Sequence, residues 1–232
     1  MGIDAVIFDW GGTLTPWKNS DGKAWWRIAA QLAAPELVDE AARAATAMEE
    51  EVWIRSRDSH RSATLAEIFA AAGLAADEAA YAAFDAEWES FTFLDPDAPA
   101  VLAALHERGL RIGILSNTTW PRARHEALFV RDGIDAYIDA AVYTSDLPWT
   151  KPHPEAFRTA MAALGVADPA RCVFVGDRPF DDIYGASRAG MRTVLIPHSD
   201  IPAAQLGHTA GEPDAVVRRL ADLVEVIDAW RD

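Results

Sequence analysis

A few polar residues in this chain have types and positions that a purely structural role does not require: Asp9, Ser116 with Asn117, Lys151, and Asp177 with Asp181 and Asp182. Carboxylates brought close together repel one another and raise each other's pKa unless a hard cation such as Mg²⁺ lies between them. If Asp9, Asp177 and Asp182 converge, a metal site follows. Lys151 adds a second positive charge, and Ser116 and Asn117 add neutral donors, which together suit an oxyanion such as a phosphoryl group. Gly11 and Gly12 let the backbone approach that group and present N–H donors to it.

Convergence requires elements that end at one place. The run Ala5-Val6-Ile7-Phe8 stops at Asp9-Trp10-Gly11-Gly12 and reads as a strand buried on both faces. Similar runs at Arg111 to Leu115, Ala140 to Tyr143, Cys172 to Val175 and Thr193 to Ile196 predict four more strands. Amphipathic stretches at Pro99 to Glu107, Pro121 to Val130, Pro154 to Leu164 and Asp181 to Ala189 alternate with them, so right-handed βαβ units on a parallel sheet are expected. Pro99 and Pro154 suit first helical turns, and Gly109, Gly165 and Gly190 suit C-terminal stops. In such an α/β fold, ligands bind at the carboxyl edge of the sheet. The segment Pro197 to Pro213 reads as irregular, and Val216, Val217, Leu220, Leu223, Val224 and Ile227 as the stripe of a closing helix.

Residues from about Trp17 to Phe93 break this rhythm. They are alanine-rich and show helical spacing in Trp25, Ile28, Ala29 and Leu32, and in Leu65, Ile68, Phe69 and Ala72. An all-helical insert is expected, with helices near 21–33, 36–54, 62–73 and 77–91. The domain division is therefore a Rossmann-like core of residues 1–16 and 94–232 and a helical cap of 17–93. Both connections of the insert lie at the carboxyl edge of the sheet.

Composition bounds the possible partners. The chain has 232 residues, 36 acidic against 21 basic, and a formal charge of -15, which opposes binding to nucleic acid or anionic membrane. The single cysteine, Cys172, cannot form an internal disulfide and reads as a buried thiol in a reducing, cytoplasmic setting. No apolar stretch approaches the roughly 18 residues of a membrane span, and the N-terminus has no basic signal-like region. The expected form is a monomer or homodimer acting on a small phosphorylated molecule.

Four segments carry a resemblance. Phe8-Asp9-Trp10-Gly11-Gly12-Thr13-Leu14-Thr15, Ile114-Leu115-Ser116-Asn117, Lys151-Pro152-His153-Pro154, and Val175-Gly176-Asp177 with Asp182 following resemble, in order, the four motifs of haloacid dehalogenase-like (HAD) hydrolases. The insert is similar to that family's small cap. The resemblance implies that Asp9 attacks phosphorus and forms an aspartyl-phosphate. It also implies that Mg²⁺ is held by the Asp9 carboxylate, the Gly11 carbonyl and Asp177, with Asp182 direct or through water. Gly12, Ser116, Asn117 and Lys151 would bind the transferring group, and Lys151 would hold Asp9 in place.

One departure matters. Phosphatases of the family carry a second aspartate two residues after the nucleophile, to protonate the leaving oxygen; here that position is Gly11. Such help is worth 10²- to 10⁴-fold in rate. A phosphatase reading therefore needs a good leaving group or a proton carrier from the cap, and Arg55, Arg57, His60 and Arg61 are the candidates, the arginines also suiting an anionic substrate tail. The plainer reading of that stretch is a helix starting at Ser62 or Ala63, with Thr64 and Glu67 a partial capping box. Asp9-Trp10-Gly11-Gly12-Thr13 also looks like the first motif of phosphonoacetaldehyde hydrolase, a carbon–phosphorus hydrolase that needs a cap lysine; Lys18 and Lys23 are the lysines available. A metal-binding protein without turnover is the third alternative. Dehalogenation is disfavoured, because it needs no metal and the pair Asp177 and Asp182 implies one. Trp10, Trp17, Trp120 and Trp149 lie beside the active edge, where some suit the lining of an apolar or aromatic substrate pocket, though core or cap-to-core packing is the favoured reading; Trp25, Trp26, Trp53 and Trp88 read as cap packing, and Glu49-Glu50-Glu51 as a solvated helix face. His153 is assigned no role.

Overall fold

The computed structural model describes residues 2–16, 22–197, 201 and 203–231, without side chains at positions 22, 23, 79, 83 and 204. Trp17 and Lys18 lie outside the described residues, as does the side chain of Lys23. Six strands, β1 (Ala5–Phe8), β2 (Arg111–Ser116), β3 (Ala140–Tyr143), β4 (Cys172–Gly176), β5 (Arg192–Leu195) and β6 (Ala215–Val216), form one sheet in the order β3-β2-β1-β4-β5-β6. All its pairings are parallel. The four residues of β1 are fully buried because helices cover both faces.

Alternation along the strands splits the core in two. Val6, Phe8, Ile112, Ile114, Val173 and Val175 face helices α5 (Ala98–Glu107), α6 (Arg122–Asp132) and α9 (Leu223–Arg231), while Ala5, Ile7, Leu115 and Phe174 face α7 (Pro154–Ala163). Register then aligns the strand ends. Phe8 pairs with Ile114 on one side and Val175 on the other, so Asp9 emerges beside the ends of β2 and β4, where Ser116 is the last strand residue and Asp177 follows Gly176. The Asp9 N–H donates to the Val175 carbonyl at 2.9 Å, which extends the ladder to the first of them.

Between β1 and α5 run α1 (Gly22–Ala33), α2 (Val38–Ser59), α3 (Leu65–Ala71) and α4 (Glu78–Trp88), followed by a 3₁₀ turn at Glu89–Phe91. They pack round their own apolar cluster, in which Ala29, Ala30, Ala41, Ala42 and Ala45 let backbones approach while Trp26, Phe69 and Phe84 fill the centre. No described helix is long and apolar enough to cross a membrane.

Two boundaries differ from expectation. Helix α2 does not end at 54 but continues through Ser59, where His60 turns into the left-handed region (φ 54°) and its N–H closes on the Ser56 carbonyl. Arg55 and Arg57 are therefore helical: charge density reads like a loop in sequence, yet solvated charges do not stop a helix. Thr64, rather than Ser62 or Ala63, caps α3, and with Glu67 it makes a complete reciprocal capping box. The closing stripe is also broken. Val216 belongs to edge strand β6, Val217 donates to the Leu195 carbonyl, and α9 starts only at Leu223 after a 3₁₀ turn.

After β4 the chain makes a π-helical turn, Pro179–Tyr184, before the short α8 (Gly185–Arg188), so Asp181 and Asp182 lie within a helical turn and are not caps. This turn presses Asp182 against Gly176, where a Cβ would overlap the Asp182 side chain. Gly176→Ala should accordingly destabilise by about 1–3 kcal/mol and lower Tm by several degrees in a thermal melt; an unchanged Tm would mean that Asp182 is not packed against that strand end.

Candidate active site

At the carboxyl edge of the sheet, Lys151 is 1 % exposed, and its Nζ donates to Asp9 Oδ1 at 2.6 Å and to Asp182 Oδ1 at 2.7 Å. Asp9, Asp177 and Asp182 are all buried, and each offers a carboxylate oxygen within 4.8 Å of the others. Burial pushes Asp9 upward from the ordinary carboxylate range; Lys151 pulls it down and Asp177 pushes it up again. Asp182 is likewise raised by burial and opposed by Lys151. Burial alone would lower Lys151, but Asp182 and Asp9 reverse that and hold its ammonium charged. Asp181 lies 3.8 Å from Arg178 and is pushed up by burial to about 7.

Each group is placed by local structure. Lys151 comes from the loop between β3 and α7, and Asn117 clamps that loop: its Nδ2 donates to the Lys151 carbonyl at 3.1 Å and its Oδ1 accepts from the Lys151 N–H at 2.8 Å. The amide of Asn117 thus faces a backbone and is not presented to an anion. Pro154 follows His153, whose Nδ1 caps α7 and whose ring stacks on Trp149 at 4.2 Å. Asp182 Oδ2 accepts from the Arg178 N–H at 3.0 Å, which fixes the carboxylate facing Lys151.

The turn after Asp9 wraps round the Trp10 carbonyl, which accepts from the N–H groups of Leu14 and Thr15. Gly12 takes φ 92°, a conformation that favours glycine, but its N–H donates to the Thr15 carbonyl at 2.9 Å. The expected Gly12 donor is therefore occupied within the turn. Thr13 Oγ1, which sequence reasoning did not single out, donates to Asp177 Oδ1 at 3.3 Å and ties the first motif to the last.

Above these residues lies a cavity of about 590 Å³, lined on the sheet side by Asp9, Gly11, Gly12, Ser116, Asn117, Lys151, Arg178 and Asp181. Its helical side includes Thr46, Glu49, Glu50, Trp53, Phe84 and Trp88. The anticipated cap residues are not among the lining. Arg55 reaches the Ser62 carbonyl and Glu67, Arg57 pairs with Asp58, and Arg61 lies 5.5 Å over the Trp149 ring. His60 accepts on its carbonyl from the Thr150 N–H at 2.9 Å, beside a 2.9 Å bond from Ser56 Oγ to Thr150 Oγ1. This stretch fastens the helices to the loop that carries Lys151.

Three other expectations change. Glu49 is half-buried and not simply solvated, because it accepts from Trp26 Nε1 at 2.9 Å and lines the cavity; Glu50 lines the cavity too but is exposed, as Glu51 is. Trp53 and Trp88 line the cavity as well as packing the helices. His125, on α6, is 3 % exposed and was missed: it stacks on Tyr143 at 4.6 Å, its pKa is lowered by burial to about 3, and its Nδ1 has no hydrogen-bond partner among the described residues. A neutral histidine inside an aromatic box leaves no periodicity signal in sequence. Trp10 and Trp120 pack against it as expected of edge tryptophans.

Comparison with known proteins gives the family. Residues 3–190 match the family described as haloacid dehalogenase-like hydrolase. A glyceraldehyde 3-phosphate phosphatase of Methanopyrus kandleri is 32 % identical over 132 residues, 57 % of this chain and 55 % of the relative; the matched stretch thus spans about half of that relative's length. Among solved structures, an HAD phosphatase from Thermococcus onnurineus superposes over 99 % of this chain and 100 % of its own with TM-score 0.72 and 23 % identity. A 2-haloacid dehalogenase from Pseudomonas syringae pv. Tomato does so over 98 % and 99 %, with TM-score 0.68 and 25 % identity. The shared scaffold therefore does not choose between ester and halide chemistry. With its parallel sheet, helical insert and family match over most of its length, the chain belongs to the haloacid dehalogenase-like hydrolases.

Proposed function

We propose that this chain is a Mg²⁺-dependent phosphatase of small phosphate monoesters, with Asp9 as nucleophile and residues 17–93 as the cap over a core of 1–16 and 94–232. The observation that carries this reading is the buried bridge of Lys151 between Asp9 and Asp182, beside Asp177. Asp9, Asp177 and Asp182 gather three buried carboxylates around one ammonium, Lys151, so the group holds more carboxylates than its own cation can compensate, a surplus that a divalent ion would offset. All-oxygen donors suit a hard cation, so the residues present fit Mg²⁺. Asp9, Asp177 and the Gly11 carbonyl would hold it, with Asp182 beside them, and when bound it would supply positive charge to the phosphoryl oxygens.

The chain's own groups then divide the work. Lys151 fixes Oδ1 of Asp9, so the carboxylate cannot swing away from the phosphorus. An Asp9 oxygen forms the new bond to phosphorus as the ester P–O bond breaks, and water then hydrolyses the aspartyl-phosphate and restores Asp9. Ser116, 4 % exposed at the end of β2, and Lys151 serve as donors to the transferring oxygens. Asn117 acts as a positioning residue through the Lys151 main chain, and Gly12 through its backbone conformation. The cavity volume admits a small metabolite and excludes a polymer. Cys172 is buried with its thiol pushed up to about 11 by burial, so it takes no part in the chemistry.

Other chemistries find less support. Carboxylates as buried as Asp177 (3 %) and Asp182 (0 %) would repel a haloacid. Schiff-base chemistry would need a desolvated lysine, and Lys18 and Lys23 bound the polar stretch Lys18-Asn19-Ser20-Asp21-Gly22-Lys23.

Assay of a panel of phosphate esters with Mg²⁺ and with EDTA tests the proposal: turnover should require the metal, and Asp9→Asn should lose it by at least about 10³-fold together with the phosphoenzyme trapped by acid quench. No turnover of any ester would overturn it. A Cβ at Gly11 meets nothing within 4 Å, so Gly11→Asp has room for the missing acid. That variant should accelerate alkyl phosphates by about 10- to 100-fold while changing 4-nitrophenyl phosphate little; equal effects on both would show that proton transfer to the leaving group is supplied from elsewhere.

A further inference from the structure

The helical end of the cavity has a charge and a wall chemistry that phosphoryl transfer does not use. Thr46, Glu49, Glu50 and Trp53 recur at helical spacing, so α2 turns one stripe toward the cavity. That stripe lies about a quarter turn from the buried one formed by Ala41, Ala45, Val52 and Ser56. The carboxylate of Glu49 is fixed by Trp26, whose ring packs 5.4 Å from Phe84; Phe84, Trp88 and Trp120 then stand within 5.4–5.9 Å of one another as one aromatic wall.

Among the described residues no ion pair holds Glu49 or Glu50. The described cations lining the cavity, Lys151 and Arg178, lie on the sheet side against its aspartates, and His125 is neutral. Burial pushes Glu49 upward, and the hydrogen bond from Trp26 opposes that shift. Trp88 Nε1 and the Nδ1 of the 3 % exposed His125, both on residues of the lining, are buried without a hydrogen-bond partner among the described residues.

We infer that the helical end of the cavity binds an ammonium group, primary or quaternary, with Glu49 and Glu50 supplying the counter-charge and Trp53, Trp88 and Trp120 the aromatic faces. Joined to the phosphatase reading, on which this half of the statement rests, the substrate is a phosphorylated amine. The two ends of such a molecule match the two ends of the cavity, whereas a second anionic group would meet Glu49 and Glu50.

The test compares phosphocholine with 3,3-dimethylbutyl phosphate, which has the same shape without the positive charge. Affinity is read by calorimetry on the full chain, and kcat/KM is read in parallel. Phosphocholine should bind at least about tenfold tighter. Glu49→Gln, which keeps an acceptor for Trp26, should bring the ratio near one, and Glu51→Gln, on an exposed position outside the cavity, should leave it unchanged. Equal binding of the two esters, a ratio indifferent to Glu49→Gln, or tighter binding of benzyl phosphate than of phosphocholine would overturn the inference, the last in favour of an aromatic tail. Binding requires no turnover, so failure to hydrolyse any ester would remove the phosphatase reading and leave the ammonium site to be decided by the titration.

Discussion

One buried ammonium organises this molecule. Lys151 is withdrawn from water and touches two carboxylates at 2.6 and 2.7 Å, an arrangement whose desolvation cost is offset only if every partner is held in place. Much of the surrounding structure does that holding. Asn117 grips the Lys151 backbone on both sides, the Arg178 N–H fixes Asp182, and the β1–β4 ladder fixes Asp9. Removing Lys151 would leave Asp9 and Asp182 buried without their cation, a loss that typically costs about 3–5 kcal/mol. Such a cluster is costly as a source of stability and makes sense as a site whose charge is completed from outside.

The two halves of the cavity follow from two kinds of packing. The sheet side is rigid because parallel strands buried on both faces end in register, so side chains far apart in sequence are fixed relative to one another. The helical side is made by alanines that let α1 and α2 approach closely, with aromatic residues of α2 and α4 turned toward the opening. His60, Ser62 and Leu65 tie these helices to the core through bonds to Thr150, Pro148 and Thr119. The same loop, residues 148–151, thus carries both the seam and the ammonium, so a shift of the helices would be felt at Lys151.

The scaffold leaves reaction and substrate to the residues at its edge. A phosphatase and a dehalogenase share it with comparable superposition. In this chain the strand ends gather three buried carboxylates around one ammonium. Gly11, open on its side-chain face, is where this chain departs most from a phosphatase with an internal acid.

Sequence alone determined the five strands from β1 to β5 and the edge at which Asp9, Lys151, Asp177 and Asp182 meet: short β-branched runs broken by glycine read as strands, and the polar residues after them share an edge once the sheet is parallel. It also located the reciprocal Thr64–Glu67 cap, because capping depends only on neighbours within one turn. Tertiary structure decided the rest. Whether Glu49 faces water or a cavity depends on Trp26, on another helix. Asn117 and Gly12 carry the right donors, but those donors are taken by Lys151 and Thr15. His125 has no local pattern at all, and α2 runs past its charged stretch because helix ends are set by packing and capping as much as by composition. These are contacts between distant segments, and the period of a single element does not encode which neighbour it will meet.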